Sequence, residues 1–271
     1  FYMSRKNLFN IDNLSAQDID ENSELIPLMT PEDELEISKE ELPQTLPILS
    51  LRNTVLFPGV VIPITASRDK SIRLIKDANN FNKLIGVVAQ KDESVEDPKL
   101  KDIYNIGTVA KIIKVLQMPD GNTTVIIQGK KRFEIERVIS ETPYITSNIK
   151  DNPENPGKEN SEFNAIIDSI KDLSLEIIKR NPNIPSEASF AIKNIESNSF
   201  LINFVASNLN LPVNEKQKLL RINDLQQRAL NTLKHMNVEF KKLEIKNDIQ
   251  SKVQSDLNQQ QREFYLHQQM K

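Results

Sequence analysis

The sequence predicts an α+β protein: a β-rich lobe with one short helix, then an all-α bundle, then a long coiled-coil-like helix. Three observations carry that prediction. All six glycines lie at or before Gly157, so turn-rich structure comes first. Neither glycine nor proline follows Pro212, so nothing interrupts helix in the last sixty residues or so. Between these limits the apolar pattern changes, from short apolar blocks before Lys150 to three- and four-residue steps after it.

Residues 1–45 carry a net charge of −8 within a chain whose total is −3, so the remaining 226 residues are net positive at +5. Few aromatic residues, no apolar periodicity and interspersed Pro27, Pro31 and Pro43 predict an acidic disordered extension over 1–45, because such a segment buries too little to offset its ordering entropy. The lobe is expected over 46–150. Pro47, Pro58 and Pro63 each remove a backbone donor, so the first strands must be short, bent or at sheet edges. A helix should start after Ser67, with Ile72, Ile75 and Ala78 on one face. Strands follow at 84–90, 106–118, 123–139 and 144–150. Between the second and third of these, MPDGNT reads as a hairpin turn, since Pro119 presets φ and Gly121 tolerates positive φ.

A linker is expected at 151–160 and a helical bundle at 161–236. Phe163, Ile166, Ile167, Ile170, Leu173 and Ile177 form the stripe of an amphipathic helix of about five turns. Two shorter helices fit 186–195 and 199–209, punctuated by Pro182, Pro185 and Pro212. Residues 214–271 read as helix with breaks near Asp224 and Asn237, the part from 237 onward being the long final helix. There Ile245, Ile249, Val253, Leu257 and Phe264 make a stripe too narrow for a globular core, which predicts an arm that is partly free or paired with another chain.

Composition excludes several chemistries. With no cysteine there is no disulfide, thiolate metal site or cysteine nucleophile, and His235 and His267 are too few and too far apart in sequence for a His-rich metal site. No G-x-x-x-x-G-K-[ST] loop exists, so a row of amides facing phosphates is not available. No serine has a local motif that would activate it, and exposed carboxylates in the acidic segment have no cause for a raised pKa. No run approaches the roughly 18–20 apolar residues of a membrane span, which predicts a soluble, unexported chain without membrane contact.

Several motifs resemble one family. Leu46–Arg52 (LPILSLR), Val55–Gly59 (VLFPG) and Arg68–Ile72 (RDKSI) are similar to the opening of the N-terminal domain of the ATP-dependent Lon proteases. Gly107–Ala110, Pro119–Asn122, Val125–Gly129 and Arg132–Ile135 resemble the middle of that domain, and QREFYLHQQMK at the chain's end resembles the segment that leads into the family's ATPase module. The resemblance implies a PUA-like β lobe joined to a helical bundle and a long helix. It also implies capture of unfolded or degron-bearing proteins for a bacterial, cytoplasmic, hexameric protease, with ATP and Mg used by the full-length protein and a Ser–Lys dyad beyond residue 271. The 271 residues themselves are expected to hold no cofactor and no catalytic residue. Weak DNA binding by the full-length protein is a further implied property. A stand-alone adaptor and a PUA-like nucleic-acid module are the competing readings.

A reader of unfolded chains needs an exposed apolar patch or an unpaired strand edge. Val55, Leu56, Phe57, Pro58, Val60 and Val61 are the most concentrated apolar group, with Met118 and Pro119 at the hairpin as an adaptable second; core packing is the competing fate. Arg68, Asp69 and Lys70 are the charged contact candidates, against a solvated helix cap. Lys130, Lys131, Arg132 and Arg137 around Phe133 form the one basic strand a nucleic acid could use, against a solvated strand face.

Overall fold

The structure is a computed structural model that describes residues 29–118, 122–157, 160–181, 184–185 and 187–269. The elements are α1 (Pro31–Lys39), β1 (Thr45–Leu51), β2 (Val61–Ala66), α2 (Asp69–Asn80), β3 (Leu84–Ala89), β4 (Ile106–Gln117), β5 (Thr123–Ser140) and β6 (Thr146–Asp151). Five more helices follow: α3 (Ser161–Arg180), α4 (Glu187–Asn194), α5 (Asn198–Asn208), α6 (Val213–Arg221) and α7 (Leu225–Gln269).

The sheet closes on itself. β1 pairs in parallel with β3, and antiparallel pairs β3–β4, β4–β5, β5–β6 and β6–β1 complete a ring. The length of β5 makes this possible: residues 133–140 pair with β6 and residues 123–128 pair with β2 along the same edge. A bulge in β4 at Ile113, and bulges in β5 around Lys130–Lys131, Glu136 and Ile139, add the local twist a closed sheet needs. Strand residues bury alternate side chains in two clusters. Ile85, Val87, Ala110, Ile112, Val125 and Ile127 pack with Leu74, Ile75 and Ala78 of α2, while Ile48, Val88, Val109, Phe133 and Ile149 form the second. Burial on both faces explains why these strands read as apolar runs instead of alternating ones.

The helical part is built around α3, whose Phe163, Ile166, Ile170 and Ile177 are buried as the periodicity predicts. Its start is fixed by Asn160, whose Oδ1 accepts the Phe163 N–H at 2.7 Å. The same apolar cluster takes in Val55, Phe57 and Val60 from the β lobe together with Phe200, Leu201 and Leu220 from α5 and α6, so the two parts share one core.

Two buried arginines hold the seam between them. Arg132 of β5 donates to Leu220 O (2.9 Å), Ile222 O (3.0 Å) and Asn223 Oδ1 (3.1 Å) at the α6–α7 turn, and to Pro153 O (3.1 Å). Burial lowers its pKa to about 10, with the Arg228 charge adding to the shift, so it stays protonated near neutrality. Arg228 of α7, fully buried, pairs with Glu154 and donates to Asn203 Oδ1 (2.9 Å) and Ile222 O (3.1 Å).

Two expectations are corrected, and a third falls on residues outside those described. Disorder across 1–45 does not hold for residues 29–45: Met29 is buried, α1 is helical and β1 begins at Thr45. The helix forms because Thr30 and Asp33 make a capping box (Asp33 N–H to Thr30 Oγ1 3.2 Å, Thr30 N–H to Asp33 Oδ2 2.9 Å) with Pro31 at the first helical position. Residues 1–28 lie outside the described residues. The break expected near Asn237 is absent, since its amide Nδ2 donates back to Leu233 O (2.9 Å) within a continuous helix; the break near Asp224 is present. Finally, the hairpin residues Pro119, Asp120 and Gly121 lie outside the described residues, though Met118 N–H donates to Asn122 O (2.9 Å) across them.

Candidate functional site

Phe57–Val60 forms a tight turn closed by Val60 N–H to Phe57 O (3.3 Å), with Pro58 at its second position and Gly59 at its third with φ +79°. That is the type II turn that Pro-Gly favours. The turn faces inward. Val55, Leu56, Phe57 and Val60 are all buried, and Pro58 and Val61 are half-buried. Of the two fates open to this group, exposed patch or core, four of the six residues take the core and are set aside as contact candidates. The turn lies between the lobe and the helices, so Leu56 packs under α2 and the other three against the helical cluster. The backbone also leaves no slack, since a Cβ on Gly129 would come within 2.3 Å of Phe57 O.

The charged trio at the start of α2 is largely engaged within the chain. Arg68 donates to Gln90 Oε1 (2.8 Å), and Lys70 pairs with Asp97 (2.7 Å), so both pin the loop between β3 and the Leu100–Asp102 turn. Asp69 is exposed. Partial burial lowers the Arg68 pKa without discharging it near neutrality. Arg68 and Lys70 line a shallow cavity of about 130 Å³ with Ser50, Asp97, Glu141 and Tyr144. Tyr144 donates to Asp77 Oδ2 (3.0 Å), so its hydroxyl is also held.

The basic strand is not a free phosphate surface. Arg132 is buried in the seam, Lys130 pairs with Glu40 (2.5 Å), and Lys131 donates to Glu40 O (2.7 Å). Only Arg137 of the four is exposed without an ion pair among the described residues. Among the described residues no group of three or more His, Cys, Asp or Glu could hold a metal, and no helix is long and apolar enough to cross a membrane.

Exposed apolar side chains lie in two places that matter. The first is where the closed sheet frays. β2 has one neighbour, and β4 loses β3 beyond Ile112, whose N–H donates to Lys83 O (2.8 Å). Among the described residues, the three-stranded extension β2–β5–β4 thus has two open edges. Ile113, the bulge residue, and Met118 are exposed there, and Val61 to Ile64 are half-buried. Pro63 lies on β2, where a missing N–H is tolerated because one side has no partner. Of the sequence-predicted apolar candidates, Met118 and Val61 fall on this extension; Pro119 lies outside the described residues.

The second place is α7. Arg180 pairs with Glu244 (2.8 Å) and lies 4.7 Å over the Phe240 ring, and Asn247 Nδ2 reaches Arg180 O (3.3 Å). From 248 to 262 every side chain is exposed. Ile245, Ile249, Val253 and Leu257 form a four-residue-spaced row along it, each about half exposed; Phe264 lies beyond the described side chains. Sequence reasoning missed α1 and its contacts, although T-P-E-D at Thr30–Asp33 carries both signals of a helix start.

A family model described as the ATP-dependent protease La (LON) substrate-binding domain matches residues 45–238. The chain is 66% identical over 270 residues to the Lon protease of Flavobacterium johnsoniae, covering 99% of this chain and 33% of that protein. It is 48% identical to the Lon protease of Cytophaga hutchinsonii, covering 92% and 31%. The chain spans about a third of the length of the curated relatives it matches. In fold it is similar to the N-terminal domain of the Mycobacterium avium complex Lon protease, with a TM-score of 0.58 at 21% identity, covering 71% of this chain and 98% of that one. A β-rich lobe closed around two apolar clusters and sealed to a helical bundle is thus the architecture on which these matches converge: the chain belongs to the family of ATP-dependent protease La (LON) substrate-binding domains.

Proposed function

We propose that this chain captures exposed apolar segments of unfolded or degron-bearing proteins for a Lon-type ATP-dependent protease, and that it binds without cutting. The observation that supports this is the open extension β2–β5–β4. Unpaired strand edges offer main-chain hydrogen bonds to any extended polypeptide, and Ile113 and Met118 beside them offer apolar contact. Methionine suits a surface that accepts many sequences, because its unbranched thioether repacks at little cost. Main-chain recognition with loose side-chain demands is what a binder of misfolded chains requires.

In the whole protein this capture would be coupled to ATP and Mg in an ATPase module and to a Ser–Lys peptidase, in a cytoplasmic hexamer. The exposed row on α7 suits a helix that meets other copies or the following module. DNA is a weaker partner on this reading, since three of the four clustered basic side chains on β5 are engaged within the chain.

The test is binding of fluorescently labelled, permanently unfolded casein to the 271-residue chain, beside single-stranded DNA and RNA at two salt concentrations. We expect casein binding that falls at least about tenfold in Ile113→Asp/Met118→Asp, the loss of about 1.4 kcal/mol that a small apolar contact patch supplies. Salt-sensitive nucleic-acid binding with no affinity for casein would overturn the proposal.

A further inference from the structure

α1 lies across the seam between the β lobe and the helices, and it touches both. At its N-terminal end Met29 is buried: its Sδ and Cε lie 3.1 Å from where a Cβ on Gly59 would stand, and the Phe200 ring lies 2.7 Å from the same point. The missing side chain of Gly59 is thus what makes room for both. In the middle Glu34 accepts a hydrogen bond from Ser197 Oγ, the residue that also caps α5 through the Phe200 N–H (2.9 Å). Just past its C-terminal end Glu40 pairs with Lys130, and its carbonyl accepts from Lys131 Nζ (2.7 Å), both on β5. Ile37 is partly buried against the shared core.

The surface beneath α1 therefore has three parts in a fixed order: an apolar socket at Gly59 and Phe200, a hydroxyl donor at Ser197, and a pair of ammonium groups at Lys130 and Lys131. The hold on α1 is light. No residue within the helix is buried, Leu35 points outward at 59% exposure, and nine residues are too few for a helix to persist alone in water. A segment that is self-capped, sparsely anchored and complementary to a composite surface has the character of a ligand held in cis.

We infer that the seam beneath α1 is a binding site for short acidic amphipathic segments with an apolar anchor, and that α1 is its intramolecular occupant. The chemistry of the partner is read from the occupant: an apolar anchor, a carboxylate five residues on for Ser197, and a second carboxylate eleven residues on for Lys130, with that residue's backbone carbonyl for Lys131. Any such segment in trans must displace α1, so the intact chain presents the site in a closed form. This surface is separate from the β2–β5–β4 extension, and failure of either leaves the other standing.

The experiment uses the full chain and a labelled synthetic peptide of residues 29–42. In Met29→Asp/Glu40→Lys the cis segment loses its anchor and its ion pair, and the peptide is expected to bind at least ten times more tightly than to the unaltered chain. A peptide carrying the same two substitutions should not bind. As a second measurement, excess unlabelled 29–42 peptide added to the unaltered chain should raise hydrogen exchange at the α1 amides. Equal peptide binding by the two chains at unchanged circular dichroism, or no change in α1 exchange at saturating peptide, overturns the inference.

Discussion

α3 and the distal half of α7 carry the same kind of apolar row and meet opposite fates. In α3, Phe163, Ile166, Ile170 and Ile177 are buried beneath α4, α5 and α7; in α7, Ile245, Ile249, Val253 and Leu257 stand about half exposed. Three- and four-residue spacing places side chains on one stripe, but it carries no information about what covers the stripe. The coverage of α3 comes from short connections that fold α4, α5 and α7 back over it. The α7 row begins where the contacts of Arg180 with Phe240, Glu244 and Asn247 end, so nothing in the described chain is left to cover it. The contrast is between a stripe that holds the molecule together and a stripe that the described chain leaves uncovered.

The sharpest way to break that contrast is at the polar seam that locks α7 to the covered side. Arg228→Ala would empty a fully buried site, take the cation from half-buried Glu154 and remove a donor from Asn203 and from the Ile222 carbonyl, so we expect a loss of about 3–5 kcal/mol in urea unfolding. Next come matched truncations on the two stripes. Ile170→Ala, at 0% exposure, should cost about 2–5 kcal/mol, whereas Ile249→Ala should stay within about 0.5 kcal/mol. If Ile249→Ala proves costly only at high protein concentration, the α7 row is being covered by a second copy, which sedimentation of the two variants would show.

The order of elements was legible in the sequence because glycine, proline and apolar spacing act locally. Gly157 and Pro212 bracket the change from turns to helix, and Asn160 and Asp224 mark helix starts by the caps they make. The candidate site was less legible. Apolar character alone could not say whether Val55–Val61 faced solvent or core, because that depends on α5 and α3 arriving from over a hundred residues away. The same holds for Arg132, whose charge reads as surface until the carbonyls of the α6–α7 turn are placed beside it. Only α1 was missed with its signal in plain view, as acidity argued for disorder while the Thr30–Asp33 capping box and Pro31 argued for helix.

Gly59 connects the covered region to the lightly held one, and it gives a smaller effect. At φ +79° a side chain is strained, and a Cβ would stand 2.7 Å from the Phe200 ring and 3.1 Å from Met29. Gly59→Ala should therefore destabilise the chain by about 1–3 kcal/mol. It should also loosen α1 beyond that loss, seen as α1 amides exchanging faster than those of α3 by more than in the unaltered chain.

The smallest effect is electrostatic and changes sign with the residue chosen. Burial pushes the Glu34 carboxyl above its ordinary value, the Ser197 hydroxyl pulls it partly back, and the nearby Glu154 charge pushes it up again. Docked α1 thus binds a proton more tightly than undocked α1, so Glu34 favours docking most fully below about pH 4.5 and loses that contribution as pH rises through the docked value. Asp33 runs the other way, since the Thr30 backbone N–H holds its carboxyl below the usual carboxylate range; its contribution to the cap is present above about pH 4 and is lost only in stronger acid. Above its raised value Glu34 is ionised at a cost that Glu34→Gln removes while keeping an oxygen for Ser197 to donate to. The variant should slow α1 amide exchange by no more than about tenfold at pH 7.5, with the ratio of variant to unaltered chain approaching one as pH falls through the raised Glu34 value. Faster exchange in Glu34→Gln at pH 7.5 would mean that the ionised carboxylate, accepting from Ser197 Oγ across the seam, is what holds α1 down.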